Sequence, residues 1–148
     1  MGMNTIPLEI DVQMFLRLLI AVVLGALVGF ERERAGKPAG VRTHGMVSLG
    51  AALFAVVSLH GFGNTGDPGR VAAQIVTGIG FLGAGAILHQ RRNVHGLTTA
   101  ASLWVTAAIG LAVGVGMIFM SLATAVLVFL LLRFGPRPRL KDSDAEAE

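Results

Sequence analysis

The stretch LTTAASLWVTAAIGLAVGVGMIFMSLATAVLVFLLLRF, residues 97–134, contains no Asp, Glu or Lys, and its single Arg is Arg133 near the far end. As one helix it would extend ~57 Å at 1.5 Å per residue, about two hydrocarbon thicknesses of roughly 30 Å each. A segment of that length has to fold back on itself. Gly114-Val115-Gly116 is the place for the turn, which makes residues 97–113 and 117–134 a tight helical hairpin.

Moving upstream, the polar segment His89–Gly96 reads as a loop, and residues 71–88 form another apolar run. The turn formers Asn64, Gly66, Asp67, Pro68 and Gly69 separate that run from residues 45–62. Residues 12–30, interrupted only by Gln13 and Arg17, are apolar for about 19 residues, the length of one span. The expected fold is therefore an all-α polytopic membrane protein with five transmembrane helices, at residues 12–30, 45–62, 71–88, 97–113 and 117–134. A short outer segment, 1–11, precedes them and a tail, 135–148, follows. Glu9 and Asp11, with no Lys or Arg before them, have the wrong sign for a signal-peptide n-region, so the first run is expected to be retained.

Composition agrees. A 148-residue chain with 53% hydrophobic and 14% charged residues and a mean hydropathy of +0.71 is too apolar for a soluble globule of its size. Ten of the twelve Lys and Arg residues fall on one face of the five-helix scheme: Arg32, Arg34, Lys37, Arg42, Arg91, Arg92, Arg133, Arg137, Arg139 and Lys141. The positive-inside rule places that face and the carboxy terminus in the cytoplasm, with the amino terminus outside. The acidic end, Asp142–Glu148, is expected to be disordered.

Several functions are disfavoured. The basic residues sit in short clusters between apolar runs, as orientation signals do, and make no nucleic-acid stripe. Gly78-Ile-Gly80-Phe-Leu-Gly83 matches G-x-G-x-x-G but lies inside an apolar run, and no Asp or Glu occurs between Asp67 and Asp142, so a dinucleotide site lacks its context. Cysteine is absent, and His44, His60, His89 and His95 make no i, i+4 pair, so neither a metal site nor a cofactor is expected. No nucleophile, base and orienter converge, and we expect no enzyme.

Small residues recur in register. Thr98, Ser102, Thr106, Gly110 and Gly114 share one face of the fourth helix, as do Ala21, Gly25 and Gly29 on the first and Ser48, Ala52 and Ala55 on the second. Such stripes let backbones approach closely, chiefly among the protein's own spans and also in a homo-oligomer or against a partner. Gly78, Gly80, Gly83 and Gly85 on the third helix mean tight packing or a helix broken near the midplane. Arg17, inside the first span, is expected to snorkel to the outer headgroups. Glu31 is placed for an ion pair with Arg34, and Trp104 is expected to pack between helices.

The runs Gly29-Phe-Glu-Arg-Glu33, Gly40-Val-Arg-Thr-His44, Val47–Phe54, Gly80–Ile87 and Gly96–Gly110, in this order and spacing, resemble the MgtC/SapB family of bacterial membrane proteins. The resemblance covers the transmembrane domain, from about Phe15 to Phe134; longer members carry a soluble carboxy-terminal domain, and here a short basic and then acidic tail follows. It implies a multi-pass protein of the bacterial inner membrane, linked to growth under magnesium limitation and survival inside host cells. It also implies a membrane protein partner, the F-type ATP synthase being the one described for relatives. Within the matching runs, Glu31, Arg32, Glu33, Arg42, Thr43, Thr98, Thr99 and Trp104 are the candidates for contacting a partner. Gly25, Gly29, Gly80, Gly83, Gly85, Ser102, Thr106 and Gly110 are the packing candidates. The expected function is a regulator that binds another membrane component in the lipid bilayer, with a magnesium or other small-solute channel or transporter as the alternative.

Overall fold

The computed structural model describes residues 7–62, 67–90 and 93–136. They form five α-helices, α1 (Leu8–Arg34), α2 (Val41–His60), α3 (Pro68–Ala86), α4 (Leu97–Gly114) and α5 (Ile118–Phe134), with two three-residue strands, β1 (Leu88–Gln90) and β2 (Asn93–His95), between α3 and α4. Of these, α1, α2 and α4 are long and apolar enough to cross a membrane, and α5 is apolar at 17 residues.

Two boundaries move for local reasons. Helix α1 already begins at Leu8, inside the segment expected to lie outside the bilayer, and runs on through Arg34, so the charged Glu31–Arg34 cluster forms its last turn. Helix α3 starts at Pro68, where the Asp67 side chain accepts from the Gly69 amide at 2.9 Å, an N-cap that ends the turn-forming segment. The expected loop 89–96 is instead an antiparallel hairpin, with Leu88 opposite His95 and Gln90 opposite Asn93. Gly96 then turns into α4 at φ +89°, and any Cβ there would collide with the Ala86 carbonyl. The fold class is thus all-α with one small ribbon. At the other end of α4 the expected turn is present, with Gly116 at φ +90° between Val115 and Met117. Residues 1–6 of the expected outer segment and the expected tail beyond 136 lie outside the described residues.

The core is a three-helix seam. α1 and α2 run antiparallel, and α4 lies against both, parallel to α2. A methyl group added at Gly25 would sit 2.6 Å from the His44 carbonyl oxygen, and one at Gly29 would sit 2.6 Å from that of Gly40. On α4, Gly110 lies against the Ser48 backbone and Gly114 against Ala52 and Ala55. Backbone contact of this kind supplies dispersion over a long surface, the main source of helix association where lipid tails are as apolar as leucine. Ala21, Leu24, Val28, Ala52, Ile109, Val113 and Ala125 fill the space between the backbones. Helix α5 closes one side of the seam through Ser121 and Ala125, and its other faces are exposed.

Gly110→Leu is expected to lower the yield of detergent-stable protein sharply, since overpacking costs about 1–3 kcal/mol even where neighbours are side chains and here they are backbone. Leu127→Ile, on an exposed face of α5, should stay within about 0.5 kcal/mol. Size-exclusion recovery after graded heating measures both, and equal recovery would contradict the seam.

Candidate functional site

The charged turn at the end of α1 is folded inward. Glu31 is 7% exposed and Arg32 5%. The Arg32 guanidinium donates to Glu31 Oε2 from Nε at 2.8 Å and from Nη2 at 2.6 Å, which makes the ion pair Glu31–Arg32 in place of the expected Glu31–Arg34. Glu33 bends back over the loop and accepts from the Val41 amide at 3.0 Å. It thereby supplies the cap that Gly40, at the start of α2, cannot. Glu33 therefore ties the end of α1 to the start of α2, while Glu31 and Arg32 pair with each other within α1, and Arg42 is exposed and Thr43 half-buried in the first turn of α2.

One turn into α2, His44 is fully buried. Its Nδ1 lies 3.0 Å from the Gly40 carbonyl oxygen, which can only accept, so Nδ1 carries a proton. Its Nε2 lies 3.0 Å from Ser102 Oγ on α4, and that hydroxyl is also 2.8 Å from the Thr99 carbonyl oxygen. One hydroxyl proton faces two acceptors when the ring is neutral. Thr106 Oγ1 donates to the Ser102 carbonyl at 2.8 Å, which continues the polar line along α4. Thr99, Ser102 and Thr106 are all buried, whereas Thr98, the expected start of the stripe, is exposed: the face winds by one residue, and Thr99 takes its place. Ser48 Oγ is buried beside this line with no hydrogen-bond partner among the described residues.

At the opposite end of the seam, Arg17 does not reach outward. Its Nη1 donates to the Gly114 carbonyl at 3.0 Å, and the guanidinium lies against Gly116. It thus neutralises the carbonyl end of α4 where the chain turns into α5. The arginine acts as a C-cap delivered from another helix.

Helix α3 is held differently. It touches α4 and, more lightly, α2. Gly83 is buried with Ala100 at van der Waals distance, but a Cβ at Gly78, Gly80 or Gly85 would meet nothing within 4 Å. The helix is continuous, so the glycines do not break it. An open groove of about 340 Å³ runs between α3 and α4, lined by Ile79, Gly80, Ala84, Ala101 and Trp104. Trp104 is 49% exposed and flanks the groove between α3 and α4, because Ile109, Val113 and the backbone contacts at Gly110 and Gly114 already fill the seam side of α4. Among the described residues no three His, Asp or Glu come together as a metal site.

The sequence candidates thus fall into three places: the α1–α2 clasp, the polar line centred on His44 and Ser102, and the α3–α4 groove. His44 and Arg17 matter more than the sequence suggested. His44 repeats with Ser48, Ala52 and Ala55 at helical spacing, a signal that a search for metal pairs passes over.

These features define a polytopic membrane protein whose helices associate through glycine and hydroxyl faces. The MgtC family pattern matches residues 18–139, and the chain belongs to this family. It is 45% identical over 127 residues to the Escherichia coli K12 protein named putative magnesium transporter YhiD, an alignment covering 81% of this chain and 59% of that one. It is 48% identical over 113 residues to protein MgtC of Salmonella typhimurium, covering 76% of this chain and 48% of the relative. The chain spans about half the length of the curated relatives it matches. No solved structure matches it.

His44→Ala and Ser102→Ala, made singly and together, should be non-additive in thermal unfolding by about 0.5–1.5 kcal/mol, the size of an interhelical hydrogen bond in a membrane protein. Strictly additive losses would mean that the two side chains do not bond across α2 and α4.

Proposed function

We propose that the protein is a regulator of the bacterial inner membrane that acts by binding another membrane protein through the open face of α3. In this reading all five helices cross the bilayer, with the amino terminus outside and the ends of α1 and α5 in the cytoplasm, as the distribution of Lys and Arg favours. The observation that carries it is the pair Gly78 and Gly85, seven residues apart on one exposed side of α3, where an added Cβ would meet none of the described residues outside the helix's own backbone within 4 Å. An interior glycine costs a helix about 1 kcal/mol relative to alanine and gains nothing against lipid. It is repaid when a second backbone approaches closely, as the seam glycines illustrate. Gln74 is exposed on the same helix, and an amide in the hydrocarbon gains from a partner across an interface. The F-type ATP synthase, implied by the family resemblance, is the first partner to seek.

Transport of magnesium, the activity in the printed name of one relative, fits the residues less well. Mg²⁺ commonly takes one or two carboxylates and keeps several waters. Helices α2 to α5 contain no Asp or Glu, and Glu31 and Glu33 are spent on Arg32 and on Val41.

A photo-crosslinking residue in place of Phe81, which is 84% exposed on α3, should yield in living cells one adduct identifiable as a specific membrane protein. The adduct should disappear with Gly78→Leu and should not form from Leu131 on α5, which is also exposed. Purified protein in sealed liposomes should carry no magnesium above the level of empty vesicles. An adduct containing only a second copy of this chain would replace the regulator by a homo-oligomer. Magnesium flux abolished by Gly85→Leu would replace it by a pore.

A further inference from the structure

The ends of α1 and α5 enclose a feature that neither the seam nor the α3 groove uses. An open cavity of about 170 Å³ lies between them, lined by Phe30, Glu31, Arg34 and Ala35 from the α1 end and by Phe129 and Arg133 from α5. Arg34 and Arg133 are exposed, and neither has an ion pair or side-chain hydrogen bond among the described residues. The carboxylate in the cavity, Glu31, is already neutralised by Arg32. The four groups together therefore leave a net charge of +2, borne by two planar guanidinium forks on separate helices. One turn back along each helix stands a phenylalanine, Phe30 or Phe129, on the apolar side of the cavity.

We propose that this cavity binds the phosphate of an anionic phospholipid, with Arg34 and Arg133 as its contacts and Phe30 and Phe129 as the shelf for the glycerol and upper acyl chain. Guanidinium pairs match phosphate oxygens in geometry and remain charged at any physiological pH. Paired basic residues in a cleft between helices at the bilayer boundary suit lipid headgroups of this sign. The ordinary role of such arginines is to offset the carbonyl ends of their own helices. Here those ends are partly satisfied otherwise, since the Ala35 and Gly135 amides donate back to Glu31 and Leu131. The phenylalanines decide between two sources of the same phosphate chemistry, because a free anion has no use for an aromatic shelf. The inference stands apart from the partner reading, and neither crosslinking at α3 nor magnesium flux bears on it.

The test is native mass spectrometry of the full chain released from detergent with dioleoylphosphatidylglycerol, with dioleoylglycerol, or with inorganic phosphate. The wild type should retain phosphatidylglycerol in preference to dioleoylglycerol. Retention should fall about tenfold in Arg34→Gln/Arg133→Gln, in line with the loss of charge-assisted contacts. Lys37→Gln, which removes an exposed charge in the neighbouring α1–α2 loop, should leave retention unchanged. Unaltered thermal unfolding of the double variant without lipid would confirm that it folds. Equal losses in the Lys37 and arginine variants would reduce the site to general surface charge and overturn the proposal. So would retention of phosphatidylglycerol no better than that of dioleoylglycerol. Binding of inorganic phosphate to Arg34 and Arg133 without the lipid would overturn the assignment to a phospholipid.

Discussion

Backbone-to-backbone contact between α1, α2 and α4 is the constraint on which the rest of the structure depends. Gly25 and Gly29 let the second half of α1 lie directly on the start of α2, and Gly110 and Gly114 let α4 settle onto the middle of α2. Water drives no burial of one apolar helix against another inside a bilayer, so the gain has to come from the number of atoms in contact. Close approach also sets what else can occur. It brings Ser102 within reach of His44 and the end of α4 within reach of Arg17. It also leaves no room on the seam side of α4 for an indole, which puts Trp104 on the groove.

Polar groups inside such a bundle have few partners, and most here are absorbed locally. Ser102, Thr106 and Ser121 each donate to a carbonyl three or four residues earlier on their own helix, and Glu33 caps the helix that follows it. His44 carries hydrogen bonds from Gly40 to Ser102 of α4, and Ala39 beside Gly40 shares a buried cluster with Leu103 and Ala107, so loop and seam are joined there. The contrast is with α3, whose Gly78, Gly85 and Gln74 are exposed while Gly83 is buried.

Much of this was legible in residues alone. Glycine, alanine and hydroxyl residues at four-residue spacing marked the seam faces on all three helices, because a helix presents i and i+4 on one side. The hairpin between α4 and α5 followed from length, since no single helix of that extent fits a bilayer. What could not be read were contacts whose partners are distant in sequence. Glu31 and Arg32 look like a solvated charged turn until the fold turns them inward. Arg17 looks like a snorkelling arginine until the turn at Gly116 arrives beside it. The strands β1 and β2 are each too short for alternation to announce them. The two classes of glycine, those filled by a neighbouring backbone and those left open, are identical in sequence and separate only in space.

That separation is the central claim, and leucine placed at one glycine of each class, with folding and crosslinking scored side by side, tests it most directly. Gly114→Leu should abolish folded yield in detergent. Gly85→Leu should leave folded yield and thermal unfolding at wild-type values while abolishing the adduct formed from a photo-crosslinking residue at Phe81. If Gly85→Leu folds and gives that adduct as the wild type does, or if Gly114→Leu folds normally, the division between a closed seam and an open face is wrong.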